Sequence, residues 1–126
     1  MKQVHETKNA PAPVGPYSQA VEVNGMLYCS GQISINPKTN EVFTGNIAEQ
    51  TKMVMENIGA VLAQADMNHS NIIKTTIFLT QMSDFAAVNE VYAKYFTAKF
   101  PARSTIAVAG LPKGVNVEIE VLAHRG

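Results

Sequence analysis

The chain has 126 residues, 46% of them hydrophobic, which suits one domain with its own core and excludes a disordered chain. Ten basic residues balance ten acidic ones, so no long-range field recruits nucleic acid or an anionic membrane. The single cysteine, Cys29, excludes an internal disulfide, and no apolar run has the length of a membrane span.

The first sixteen residues, "MKQVHETKNAPAPVGP", lack the apolar stretch of a secretory signal. The chain therefore reads as one cytoplasmic domain over residues 1–126. His5, His69 and His124 are isolated and lack metal-ligand spacing, so no metal centre is expected. Asn24-Gly25 divides two alternating apolar runs, the signature of a type I′ hairpin over residues 17 to 33.

Asn46 and Glu49 have the spacing of a capping box, followed by Val54, Ile58, Val61, Leu62 and Ala65 at helical intervals. This helix is expected to end near residues 66 to 68. Gly59 inside it costs about 1 kcal/mol relative to alanine unless close packing requires it. "NIIKTTIFLT" is short and β-branched, with apolar residues on both faces, and predicts a central strand.

Ser83 or Asp84 is placed to cap a second helix carrying Phe85, Val88, Tyr92, Tyr95 and Phe96, which Pro101 bars from continuing. Two strands follow, 103 to 110 and 115 to 122, joined at "LPKG". The order is that of an α+β fold, a mixed sheet with two helices on one face. Apolar residues left on the other face predict association with further copies.

If the last two strands pair as a hairpin, alternation puts Arg103, Thr105, Ala107, Asn116, Glu118 and Glu120 on one face. The other face, with Ile106, Val117, Ile119 and Val121, then meets the helices. An arginine fork suits a substrate carboxylate, and a neighbouring carboxylate can activate water. The same pattern also fits a cross-strand ion pair with no function. Nothing next to Cys29 in sequence lowers its pKa, so it reads as a small buried hydrophobe.

"FPARSTIAVAGLPKGVNVEIEV", with "APAPVGPYSQAVEVNGMLYCSGQISINPKT" before it, resembles the RidA (YjgF-type) family of imine and enamine deaminases along the whole chain. The resemblance implies a chorismate-mutase-like fold, a homotrimer with an inner barrel, and clefts between subunits. It implies hydrolysis of 2-iminobutanoate and 2-iminopropanoate, released as enamines by amino-acid dehydratases, to 2-oxo acids and ammonia without a cofactor. Arg103 matches the family's carboxylate clamp and Glu118 its water-positioning acid. Tyr17, Ser30, Gly31 and Asn89 match other cleft residues, Tyr17 from a neighbouring subunit.

Thr105 stands where many relatives carry cysteine, which leaves a hydroxyl and a backbone group at that point of the ligand site. In the assumed hairpin Arg103 lies about 13 Å from the position facing Glu118 and about 7 Å from that facing Glu120. The motif favours Glu118, and Glu120 is the second candidate. The rival reading is a trimer that binds a small 2-oxo acid and regulates without turnover.

Overall fold

In the computed structural model, which describes residues 1–126, Asn24 and Gly25 have φ of 51° and 80°. Both values are positive, as a type I′ turn demands. The strands on either side, β2 (Ala20–Val23) and β3 (Met26–Cys29), pair antiparallel in the expected hairpin. A short strand that the sequence did not announce, β1 (Gln3–His5), adds to the outside of β2. Its three residues are too few to show alternation.

The β1–β2 edge is clasped by one carboxylate. Glu22 accepts from His5 Nε2 at 2.9 Å and from Arg125 Nε and Nη2 at 2.9 and 2.8 Å. The Arg125 hydrogen bonds first, then that from His5, hold the Glu22 carboxyl down at about 2.

Helix α1 (Ile47–Gln64) begins where expected. Asn46 Oδ1 accepts from the backbone N–H of Ala48 and Glu49 at 2.8 and 3.2 Å. Glu49 makes no return bond, so only half of the expected capping box forms. The helix ends slightly early, and Asp66 turns into the left-handed region at φ 59°. Gly59 has the packing reason that its position calls for. A Cβ there would lie 2.8 Å from the His69 ring, whose Nε2 donates to the Met55 carbonyl at 3.0 Å and which packs on Tyr95.

The remaining elements are β4 (Ile72–Leu79), α2 (Phe85–Ala93), β5 (Ala102–Ala107) and β6 (Val117–His124). Neither Ser83 nor Asp84 caps α2 with its side chain; a 3₁₀ turn over Met82–Asp84 leads into it instead. The helix stops well before Pro101. No helix is long and apolar enough to cross a membrane.

The sheet runs β1-β2-β3-β6-β4-β5, so the terminal hairpin expected from residues 103 to 122 does not form. Strand β5 pairs in parallel with β4 through the α2 crossover, and β6 inserts antiparallel between β3 and β4. Burial explains the choice. Val117, Ile119, Val121 and Ala123 are at most 2% exposed and belong on a strand with ladders on both sides. Strand β5 is exposed along most of its length and suits an edge. The residues between them carry a 3₁₀ turn over Pro112–Gly114, with Lys113 at φ 58°, in place of a tight hairpin turn.

Both helices cover one face of this sheet. Val54, Met55, Ile58 and Leu62 of α1 and Val88 and Tyr92 of α2 share a core with Leu27, Ile77, Leu79, Val117, Ile119 and Val121. The opposite face is uncovered. In register it carries Val4, Tyr28 and Ile106, each about half exposed. This is the unpartnered apolar surface that the sequence predicted.

Gly59→Ala tests the packing around His69. Helix propensity alone would stabilise it by about 1 kcal/mol. Displacement of the His69 ring should reverse that sign, for a net loss of about 1–2 kcal/mol in denaturant unfolding.

Candidate functional site

Alternation along β6 places Glu118 and Glu120 on the uncovered face, because Val117, Ile119 and Val121 are in the core. Register extends the two faces across β4 to β5. Glu118 lies opposite Phe78, and Phe78 opposite Ile106. Arg103 lies opposite Thr75, and Thr75 opposite Val121, so Arg103 and Thr105 are on the helix-facing side. The expectation that Arg103, Thr105, Glu118 and Glu120 share one face is therefore corrected. It rested on β5 and β6 being direct neighbours. The choice between Glu118 and Glu120 by strand distance falls with it.

Two separate groupings result. In the first, Tyr17, Ser30, Gly31, Glu118 and Glu120 line a cleft of about 590 Å³, closed at one side by Pro112 and Lys113. The backbone of Gln32 exchanges hydrogen bonds with Ile119 at 2.9 and 3.2 Å and draws residues 30 to 33 against β6. Asn57 Nδ2 ties down the carbonyls of Ile33 and Ile35 from α1.

Gly31 consequently lies directly against the Glu118 side chain. Any Cβ at residue 31 would collide with the Glu118 carboxylate, its Cδ lying 2.9 Å away. That close approach is the reason for glycine here. The Gly31 N–H makes no hydrogen bond within the chain.

Burial, reinforced by the like charge of Glu120, raises the Glu118 pKa above the ordinary carboxylate value. Ser30 Oγ donates to the Ser18 carbonyl at 2.6 Å, so towards a ligand this hydroxyl can only accept. Tyr17 is 52% exposed. The arm that bears it is fastened by Gln19, a wholly buried side chain. Gln19 Nε2 donates to the carbonyls of Thr7, Ala10 and Pro11, and its Oε1 accepts from the Thr7 N–H.

In the second grouping, Arg103 projects from the edge strand toward α2. Its Nη1 donates to Asn89 Oδ1 at 2.5 Å, and its guanidinium carbon sits 5.1 and 5.4 Å from the ring centres of Phe85 and Tyr92. Asn89, Tyr92, Phe100 and Arg103 border a hollow of about 390 Å³. Thr105 is one alternation further along β5, with its hydroxyl oxygen buried and unpartnered. Cys29 packs against the core, and burial pushes its thiol up to about 12, so it is no nucleophile.

Of the seven residues expected at the site, Tyr17, Ser30, Gly31 and Glu118 thus converge on one side of the sheet. Arg103 and Asn89 meet on the other side, and Thr105 faces the same way. Phe85 and Tyr92 went unread as neighbours of Arg103. With Asn89 they form an i, i+4, i+7 stripe that helical periodicity could have found. Gln19 left no signal in the sequence, since its role is fixed only by where residues 7 to 11 pass.

Residues 7–125 match the family model described as Endoribonuclease L-PSP. The chain is 43% identical over 126 residues to the human 2-iminobutanoate/2-iminopropanoate deaminase, covering 100% of this chain and 92% of that protein. A conserved Rid-family protein from Yersinia pestis superposes with a TM-score of 0.96 at 54% identity, covering 98% of this chain and 99% of that one. Escherichia coli TdcF, solved with bound serine, superposes with a TM-score of 0.94 at 40% identity, with the same coverage.

Gly31→Ala should push the Glu118 carboxylate out of its place while leaving stability within about 0.5 kcal/mol, because only the far end of a flexible side chain must move. A crystal structure of the variant and its denaturant midpoint check both parts.

Proposed function

The chain belongs to the endoribonuclease L-PSP family, which includes the Rid (YjgF-type) proteins, and on that premise we propose that it hydrolyses 2-iminobutanoate and 2-iminopropanoate to the 2-oxo acids and ammonia. The observation that carries this reading is the division of the polar groups into two complementary halves. One presents an arginine fork; the other presents a half-buried carboxylate of raised pKa beside a free backbone N–H. Each lacks what the other supplies. A site forms when the Glu118 cleft of one copy meets the Arg103 edge of the next. This head-to-tail contact closes into a ring, for which we propose a homotrimer. The uncovered apolar face supports such an assembly.

In this cleft Arg103 donates two parallel hydrogen bonds to the substrate carboxylate and fixes the imine carbon against a water held by Glu118. The Glu118 carboxylate takes a proton from that water as its oxygen bonds to the carbon of the protonated imine, and the C=N π electrons pass to nitrogen to give a neutral carbinolamine. Return of the proton from Glu118 to nitrogen lets the C–N bond break. Ammonia leaves as the C=O bond forms, and the hydroxyl proton passes to the Glu118 carboxylate and then to solvent. Water and proton carriers suffice, so the reading includes no cofactor. A raised pKa makes Glu118 a stronger base than an exposed carboxylate.

The net charge of zero gives no field for attracting RNA, so cleavage of a polyanion is the weaker reading. The single buried thiol is consistent with the cytoplasm.

A threonine dehydratase-coupled assay of 2-oxobutanoate formation tests the reading. Arg103→Ala should lower kcat/KM at least about 100-fold with the fold intact. Glu118→Gln should lose turnover yet still bind 2-oxobutanoate. A wild-type protein that bound the 2-oxo acid without accelerating imine hydrolysis would be a regulator instead.

Co-assembly of Arg103→Ala with Glu118→Gln subunits should restore activity in about a quarter of the clefts. No recovery would sink the shared site.

Glu120→Gln removes the like charge that helps to raise the Glu118 pKa. Glu118 then ionises at lower pH, and the acid limb of the kcat/KM profile should shift to lower pH. A limb that stayed put, or moved upward, would count against Glu118 as the base.

A further inference from the structure

We infer that Tyr92 is a positioning residue for Arg103: its ring, pinned by a buried hydrogen bond to Thr75, and the ring of Phe85 hold the guanidinium in a fixed orientation. The inference rests on the proposed carboxylate clamp for its purpose, and on geometry alone for its content. Tyr92 is 3% exposed and Thr75 is wholly buried; their hydroxyls are 2.8 Å apart. Thr75 is the cross-strand neighbour of Arg103 on β4. The anchor of the ring therefore sits beside the residue that the ring supports.

Phe85, Asn89 and Tyr92 occupy one stripe of α2, so a single helix face supplies two aromatic rings and one carbonyl acceptor to one cation. Each ring attracts the guanidinium through its quadrupole. Asn89 accepts one N–H, and four of the five donors remain for a ligand. An exposed arginine on an edge strand would otherwise sample many rotamers, and a carboxylate would have to order it on binding. With the cage in place, that ordering is already done.

The test uses the side-chain Nε–Hε signals of the two arginines of the chain, Arg103 and Arg125, assigned with the variant Arg125→Lys. In wild type, the Arg103 signal should be shifted by the nearby rings. In Tyr92→Leu it should move toward the free-arginine position, with Kd for 2-oxobutanoate weakened about tenfold. Tyr92→Phe keeps the ring but strands the Thr75 hydroxyl. It should melt at lower temperature and, with the ring unpinned, weaken Kd for 2-oxobutanoate less than Tyr92→Leu does, about threefold. A merely structural Tyr92 would lower the stability of both variants and leave Kd for 2-oxobutanoate at the wild-type value in each. That result overturns the inference.

If Tyr92→Leu does not fold, the half-buried Phe85→Leu replaces it, with the same signal change expected. A Kd for 2-oxobutanoate left at the wild-type value by that variant would overturn the inference equally. Failure of the deaminase reading shows separately, as wild type that binds 2-oxobutanoate but yields no imine hydrolysis. The cage stands in that case if Kd for 2-oxobutanoate still answers to Tyr92.

Discussion

The insertion of β6 between β3 and β4 governs the rest of the molecule. A strand with ladders on both sides has no freedom of face once its apolar residues are committed. Val117, Ile119, Val121 and Ala123 go into the core, and Glu118 and Glu120 must point the other way. The same insertion displaces β5 to the edge, where the parallel register with β4 turns Arg103 toward α2. A one-residue slip in β6 would bury a carboxylate and expose a core residue. Packing of the hydrophobic layer thus fixes where the charged groups stand, with no ion pair between them to guide it.

Around this frame, amide side chains do much of the positioning. Gln19 fastens the arm carrying Tyr17, Asn57 fastens residues 33 and 35, and Gln50 bonds to Asn116 at the foot of β6. Buried amides suit this work because each has both a donor and an acceptor end and carries no charge that burial would penalise. They hold irregular backbone where no ladder can, and the wall of the Glu118 cleft is built from that backbone.

The sequence is most informative where one local rule decides the outcome. Asn24-Gly25 required a type I′ turn, and the helical spacing from Val54 to Ala65 required a buried face. Gly59 looked like a defect until His69 was seen over it, and residues so far apart in sequence give no hint of that contact. The terminal pair failed for a different reason. Strand, turn and strand in succession describe a hairpin and a crossover equally well, and only competition for the slot beside β3 separates them. The candidate site residues were proposed from their motif. Their division between two sides of the sheet was not legible there, because it depends on which strands are neighbours.

The clasp at Glu22 bears on how the outer edge of the sheet behaves in acid. A carboxyl lowered from 4.5 to about 2 contributes stability that is fully present above 4.5 and is lost progressively as the pH falls from there through about 2. Most carboxylates have taken up protons well before that point. Short outer strands are ordinarily the first to fray. Here the three residues of β1 are tied to Arg125 through a carboxylate that keeps its charge well below the ordinary carboxylate range. Mild acidification should therefore leave this outermost seam shut.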